Sequence, residues 1–177
     1  LSPNDGPTHH GLFDLSYLRC IPNAIVMQPK DEDELQDMMA TGIESGLPSF
    51  VRYPRGAGVG IKRKQTPKTL SIGKAEVLRD GENCAIWALG NFVSVAEKIA
   101  DHLLSKYGLS VTVTNARFVK PLDEKLLLSH SEGHECIITL EDNVLAGGFG
   151  SAILEALDQY DVLIPVKRFG WPDNFIE

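Results

Sequence analysis

Apolar positions along the chain recur at two spacings, and their alternation predicts the architecture. Leu12, Leu15 and Leu18 fall on one side of a short helix over residues 12–20. Pro22 interrupts it, and residues 24–27 (AIVM) form a short buried strand closed by Pro29. Asp31 then caps a helix, with Glu34 as its capping-box partner. Leu35, Met38, Met39 and Ile43 give that helix an apolar stripe, and Gly46 supplies a stop. Residues 49–53 (SFVRY) are the next strand, running into Pro54-Arg55-Gly56. From residue 84 the order is regular: strand (84–90), amphipathic helix (93–107), strand (110–116), short helix (121–128), strand (136–142), Gly-rich turn, helix (151–157) and strand (162–170). Alternation of this kind predicts an α/β fold, with a mainly parallel sheet covered by helices on both faces.

Between these stretches the character changes. Gly56, Gly58 and Gly60 precede the basic run IKRKQTPKTL, which reads as a solvated linker or as an anion-binding strip. The absence of interleaved aromatic residues favours the linker. The chain thus divides into residues 1–60, a linker over 61–80 and a domain over 81–177.

Composition narrows the function classes. With 177 residues, 43% apolar and 23% charged, the chain can build a core without staples. A net charge of −7 argues against a nucleic-acid partner, though local arginines can still attract an anion within a cleft. No apolar run approaches the roughly 18 residues that span a bilayer, so no membrane partner is expected. The first residues resemble no signal peptide and lack an initiator Met, which predicts a chain that begins inside a longer polypeptide. Cys20, Cys84 and Cys136 are read as reduced structural thiols, which suits a cytoplasm-like compartment.

Chemistry-bearing residues are densest at the front. Asp5, Thr8, His9 and His10 sit among Gly6, Pro7 and Gly11, where a carboxylate and imidazoles can orient and move protons near neutral pH; a surface turn is the alternative. Adjacent histidines in an extended segment point to opposite sides, and Gly133 separates His130 from His134, so no metal site is expected at either place. His102, His130 and His134 are taken as surface residues. Arg52 and Arg55 lie at a strand end, where a guanidinium either grips a phosphate or forms an ordinary ion pair. The turn at residues 146–150 (AGGFG) places amides at a helix start, yet Ile153 replaces the third glycine of a dinucleotide fingerprint. Close packing of helix on sheet explains those glycines equally well.

Longer strings carry a resemblance. DGPTHHGLFDLSYLRCIPNAIVMQPKDEDEL (5–35), VRYPRG (51–56), NARFVKPLD (115–123), TLEDNVLAGGFGSAILEAL (139–157) and GWPDNFIE (170–177) are similar to segments of the 1-deoxy-D-xylulose-5-phosphate synthases, enzymes of the transketolase type. Pro3-Asn4 stands where that family usually carries Gly-Ala. The resemblance implies that residues 1–60 are the last part of a pyrimidine-binding domain and that residues 81–177 are a carboxy-terminal domain of transketolase type. It further implies a parent enzyme that uses thiamine diphosphate and Mg2+ to condense pyruvate with glyceraldehyde 3-phosphate, opening the non-mevalonate isoprenoid pathway. The parent would be a homodimer in a bacterial cytoplasm or a plastid-type compartment.

The same resemblance assigns roles by position. His9 matches a histidine close to the thiazolium carbon, Asp5 an acidic residue at the aldehyde acceptor, and Arg55 the arginine that grips the acceptor's phosphate. Arg52 and His10 receive no role. The family's metal–diphosphate motif and its activating glutamate are not found in these residues, so the chain alone is expected to bind no cofactor and to be inactive. The alternatives are a transketolase-like ketol transferase and a non-catalytic dimerisation module.

Overall fold

The computed structural model describes residues 6–176. Asp5 lies outside the described residues. Two sheets organise the chain. The larger has five strands: β3 (Glu76–Arg79), β4 (Cys84–Ala88), β5 (Val111–Asn115), β7 (Cys136–Val144) and β8 (Val166–Trp171), in the order β3-β5-β4-β7-β8. All of its pairings are parallel except β3 with β5. The smaller sheet joins β1 (Ile25–Met27) in parallel to β2 (Ser49–Val51) and antiparallel to β6 (Phe118–Lys120). The expected α/β fold with a mainly parallel sheet is therefore observed.

Crossover handedness explains where the helices go. The chain leaves β4 through α3 (Phe92–Tyr107) for β5 on one side, and leaves β7 through α5 (Phe149–Gln159) for β8 on the other. Crossovers of one hand in opposite directions must lie on opposite faces. Accordingly Ile86, Ala88 and Val113 pack with Val93, Ala96 and Ala100 of α3. Ala85, Trp87 and Ile137 face the other way, against Leu127 of α4 (Glu124–Gly133) and Phe149 and Ile153 of α5.

The segment before residue 60 has no such core of its own. Leu15 and Leu18 of α1 (Asp14–Leu18), with Val26, join the α5-side core. Ile25, Met27 and Met38 complete a small cluster with Phe118 from β6. Leu12, Leu15 and Leu18 are all buried, as their spacing predicts.

Several expectations are corrected. In α2 (Glu32–Ser45) the buried residues are Glu34, Asp37, Met38 and Thr41, so of the expected stripe only Met38 is fully inside. The reason lies in the supposed linker, which runs along the acidic face of the helix. Lys64 Nζ pairs with Asp33 at 2.8 Å and with Asp37, the Lys68 amide donates to Asp37 at 2.8 Å, and the Leu70 amide donates to Thr41 Oγ1 at 2.8 Å. Asp31 does cap the helix, accepting from the Glu34 amide at 2.8 Å, but the Glu34 carboxylate answers the Lys30 amide at 2.8 Å rather than closing a capping box on Asp31. Strands β3 and β6 were not foreseen; each is four residues or shorter and takes its partner from distant sequence.

The cysteines also differ from expectation. Cys84 and Cys136 form a disulfide, and only Cys20 is a free thiol. They stand opposite each other on the neighbouring strands β4 and β7, a register invisible at a sequence separation of 52. His130 is buried and accepts from Trp87 Nε1 at 3.0 Å, while His134 contacts the His130 carbonyl at 2.9 Å and Thr112 Oγ1 at 2.8 Å, so neither is a free surface residue. Among the described residues no helix is long and apolar enough to cross a membrane.

Candidate functional site

In open α/β sheets, ligands gather beyond the carboxyl ends of the strands. In the carboxy-terminal domain that crevice is filled by the chain's own amino-terminal segment. Gln28 packs so closely on the β4–α3 turn that a Cβ at Gly90 would lie 2.3 Å from its Nε2. Asn115, at the end of β5, donates to buried Glu34 at 2.8 Å, and Arg117 pairs with Glu34 at 2.7 Å. At the end of β7, Asn143 accepts from the Leu15 amide at 3.2 Å and donates to Ser16 Oγ at 2.9 Å. Arg19 donates to the Gly147 carbonyl at 2.7 Å and pairs with Glu155. Helix α1 is thereby fastened to the Gly-rich turn.

That turn is not a phosphate cradle. The carboxyl group of Glu141, fully buried, accepts from the Phe149 amide at 2.6 Å and the Gly150 amide at 2.8 Å, so the acceptor at the helix start is internal. A Cβ at Gly148 would fall 2.1 Å from Glu141 Oε2, which explains the glycine there. Burial pushes the Glu141 carboxyl up to about 7, against the pull of these two amides.

The front turn places its two imidazoles differently. The His9 amide donates to the Gly6 carbonyl at 3.1 Å, and His9 is exposed with Nδ1 2.8 Å from Thr8 Oγ1. An exposed imidazole of this kind can exchange a proton with a bound molecule through Nε2. His10 is buried, with the rings of Phe13 and Phe175 centred 6.0 Å and 6.1 Å away. Its ring nitrogens find no hydrogen-bond partner among the described residues.

The two strand-end arginines separate equally clearly. Arg52 is buried and donates from Nη1 to Asp142 at 3.2 Å and from Nη2 to the Gly11 carbonyl at 3.1 Å. It therefore ties the histidine turn to β7. Arg55 is exposed and lines a cleft of about 480 Å³ together with Lys30, Asp31, Tyr53 and Asn91. His9 is not among the residues lining this cleft. The sequence reading missed Lys30 and Asn91. Lys30 stands just beyond the end of β1, so the strand-end rule that singled out Arg55 also applies to it. Asn91 comes from the other domain and carried no sequence signal. Among the described residues no three His, Cys, Asp or Glu side chains gather where they could hold an ion.

Comparisons with known proteins agree with this organisation. The family described as transketolase, pyrimidine binding domain, matches residues 2–59, and the transketolase C-terminal domain family matches residues 73–177. The 1-deoxy-D-xylulose-5-phosphate synthase of Acidobacterium capsulatum is 53% identical over 177 residues, 100% of this chain. That of Syntrophus aciditrophicus is 55% identical over 174 residues, 98% of the chain. The chain spans only 28% and 27% of those two relatives. Among solved structures, a split-gene transketolase described as an inactive beta4 tetramer has a TM-score of 0.84 at 27% identity, covering 94% of this chain and 55% of its own. A mutant transketolase of Pichia stipitis, at 18% identity and a TM-score of 0.63, shares the fold over 97% of this chain and 24% of its own. Its sequence matches and its fold show that the chain belongs to the transketolase family.

Proposed function

We propose that this chain is the carboxy-terminal part of a 1-deoxy-D-xylulose-5-phosphate synthase, which condenses pyruvate with glyceraldehyde 3-phosphate and releases carbon dioxide. The observation that carries the reading is 53% identity to such a synthase along the entire chain. In this reading residues 1–60 complete a pyrimidine-binding domain, residues 61–80 lead from it and give β3 to the sheet of the terminal domain, and residues 81–177 form the rest of that domain. Thiamine diphosphate, when bound, supplies the carbanion chemistry. The exposed His9 imidazole, steadied by Thr8, suits the reacting end of such a cofactor, and it moves protons there between Nε2 and the substrate. Asp5 assists at the aldehyde. Arg55 holds the acceptor's phosphate, and a cleft of about 480 Å³ accommodates a triose phosphate. Binding energy from that remote phosphate orients the carbonyl.

Magnesium and the diphosphate are then held by the amino-terminal portion of the longer polypeptide, which acts as a homodimer in a soluble compartment. The chain alone is inactive. The split-gene transketolase of similar fold is an inactive beta4 tetramer, in keeping with this. The test is product formation by the longer polypeptide with thiamine diphosphate, magnesium, pyruvate and glyceraldehyde 3-phosphate, beside residues 1–177 alone. Deoxyxylulose phosphate from the longer protein only is the expected result. Ketol transfer from a ketose phosphate without use of pyruvate would overturn the synthase reading, and turnover by residues 1–177 would overturn the claim of incompleteness. Within the active protein, His9→Ala is expected to lower kcat by roughly 100-fold. Arg55→Ala is expected to raise KM for the triose phosphate by about 10-fold or more.

A further inference from the structure

Arg52 has no place in the chemistry just described, yet it is buried and both nitrogens of its fork are engaged. Its side chain is 8% exposed and that of Asp142 is 4% exposed, so the pair is removed from water. A buried ion pair is kept only where further hydrogen bonds complete it, and here they form a chain. Trp171 Nε1, at the end of β8, donates to Asp142 Oδ1 at 2.7 Å. Asp142 Oδ2 accepts from Arg52 Nη1 at 3.2 Å, and Arg52 Nη2 donates to the Gly11 carbonyl at 3.1 Å. Gly11 directly follows His9-His10 and has φ +69, so its carbonyl direction sets how the turn leaves for α1. Below it the Leu12 carbonyl accepts from the Val144 amide at 2.8 Å, again from β7. Phe175, four residues past Trp171, packs on His10 and Phe13. Burial disfavours the charge on Asp142, while the Arg52 guanidinium and the Trp171 N–H favour it, and the carboxyl lies below its usual value.

We propose that Arg52, through Asp142 and Trp171, is a positioning residue that fixes the His9 turn against the carboxy-terminal domain. The planar fork of Arg52 holds a carboxylate on Nη1 and a carbonyl on Nη2 in a fixed geometry, which the compact ammonium of a lysine on its flexible stem does not reproduce. Because Arg52 also lies three residues before Arg55, the same anchor relates the proton-moving turn to the phosphate-gripping segment. Misplacement of a catalytic group by about 1 Å can cost on the order of 100-fold in rate. The terminal domain, which supplies Asp142 and Trp171, thereby serves catalysis without touching substrate. This inference rests on the role proposed for His9.

The test uses the longer polypeptide with Arg52→Lys and, in case that variant folds poorly, the milder Trp171→Phe, which keeps a ring but removes the N–H donor. Two readouts are taken: amide hydrogen exchange over residues 6–12, and steady-state kinetics per folded molecule. Each variant is expected to speed exchange in that segment about 10-fold while the core of the five-stranded sheet stays protected. Each should lower kcat about 10-fold to 100-fold with KM for pyruvate within about twofold. Combining the two substitutions should cost less than the product of the single effects, since both act through one chain of contacts. Unchanged exchange, or faster exchange with kcat unchanged, overturns the inference. A parent protein that makes no product overturns the proposed function instead, and exchange then still decides whether Arg52 orders the turn.

Discussion

Helix α3 turns Val93, Ala96 and Ala100 inward and leaves Ser94, Glu97 and Lys98 outside. Helix α2 does nearly the reverse: it buries Glu34, Asp37 and Thr41, while Met39 is 48% and Ile43 78% exposed. The first helix packs on a core cluster built wholly within the carboxy-terminal domain. The second belongs to a segment whose strands borrow Phe118 from the neighbouring domain, and whose polar face is satisfied by the strap at residues 60–70 and by Asn115 and Arg117. Apolar patterning thus governs the carboxy-terminal domain, whereas specific polar partners govern the segment that carries His9 and Arg55. A site placed by partners can be retuned by changing those partners, without rebuilding a core.

The contrast is most open to attack at the borrowed core. Phe118→Ala removes a fully buried ring and is expected to cost about 3–5 kcal/mol in urea unfolding. Amide exchange should rise first in β1 and β2; equal loosening of β4 would show that the two regions are not distinct. Next comes Glu34→Gln, which removes the buried charge shared by Lys30 and Arg117 and leaves both cations to Glu76 alone. A loss of about 2–3 kcal/mol is expected, read in the same unfolding experiment.

Two buried groups of the carboxy-terminal domain make its stability depend on pH in opposite senses. Burial, aided by the charge of His134, lowers His130 from 6.5 to about 4. Between these values the unfolded chain binds more protons, so this contribution is complete above pH 6.5 and is lost as pH falls towards 4. Burial raises Glu141 from 4.5 to about 7, so there the folded state binds more protons. Its contribution is complete below pH 4.5 and is lost as pH rises through 7. Each effect is on the order of 2 kcal/mol, and across the shared window they offset. His130→Gln should therefore unmask a fall in stability with rising pH, and Glu141→Gln a rise, in denaturant midpoints from pH 4.5 to 7. Parallel profiles for both variants and the parent would contradict the assignment. The smallest effect is expected at Ile43→Lys, within about 0.5 kcal/mol in this chain, because the side chain lies in solvent.

Much of this was legible without coordinates. Helical spacing located α3 and the buried leucines of α1, and Asp31 marked the start of α2 correctly. His9 and Arg55 are both exposed, a placement compatible with either reading that the sequence offered for each. The stripe on α2 misled because four apolar residues at helical spacing report amphipathicity, not which face finds partners. Acidic residues become the inner face once Lys64 and two backbone amides reach them, and that depends on the path of the strap.

Apart from β3 and β6, the order of strands and helices and the α/β class were determined by the sequence alone, because local spacing, caps and breakers act within a few residues. The Cys84–Cys136 pairing, the seating of the Glu141 carboxyl beneath the Gly-rich turn, the burial of His130 and the joining of Arg52 to Asp142 and Gly11 were decided by tertiary structure. Each of these last features depends on which strands become neighbours and where their ends meet. Contacts between residues separated by 52, 43 or 90 positions leave no periodic trace in a chain read one window at a time.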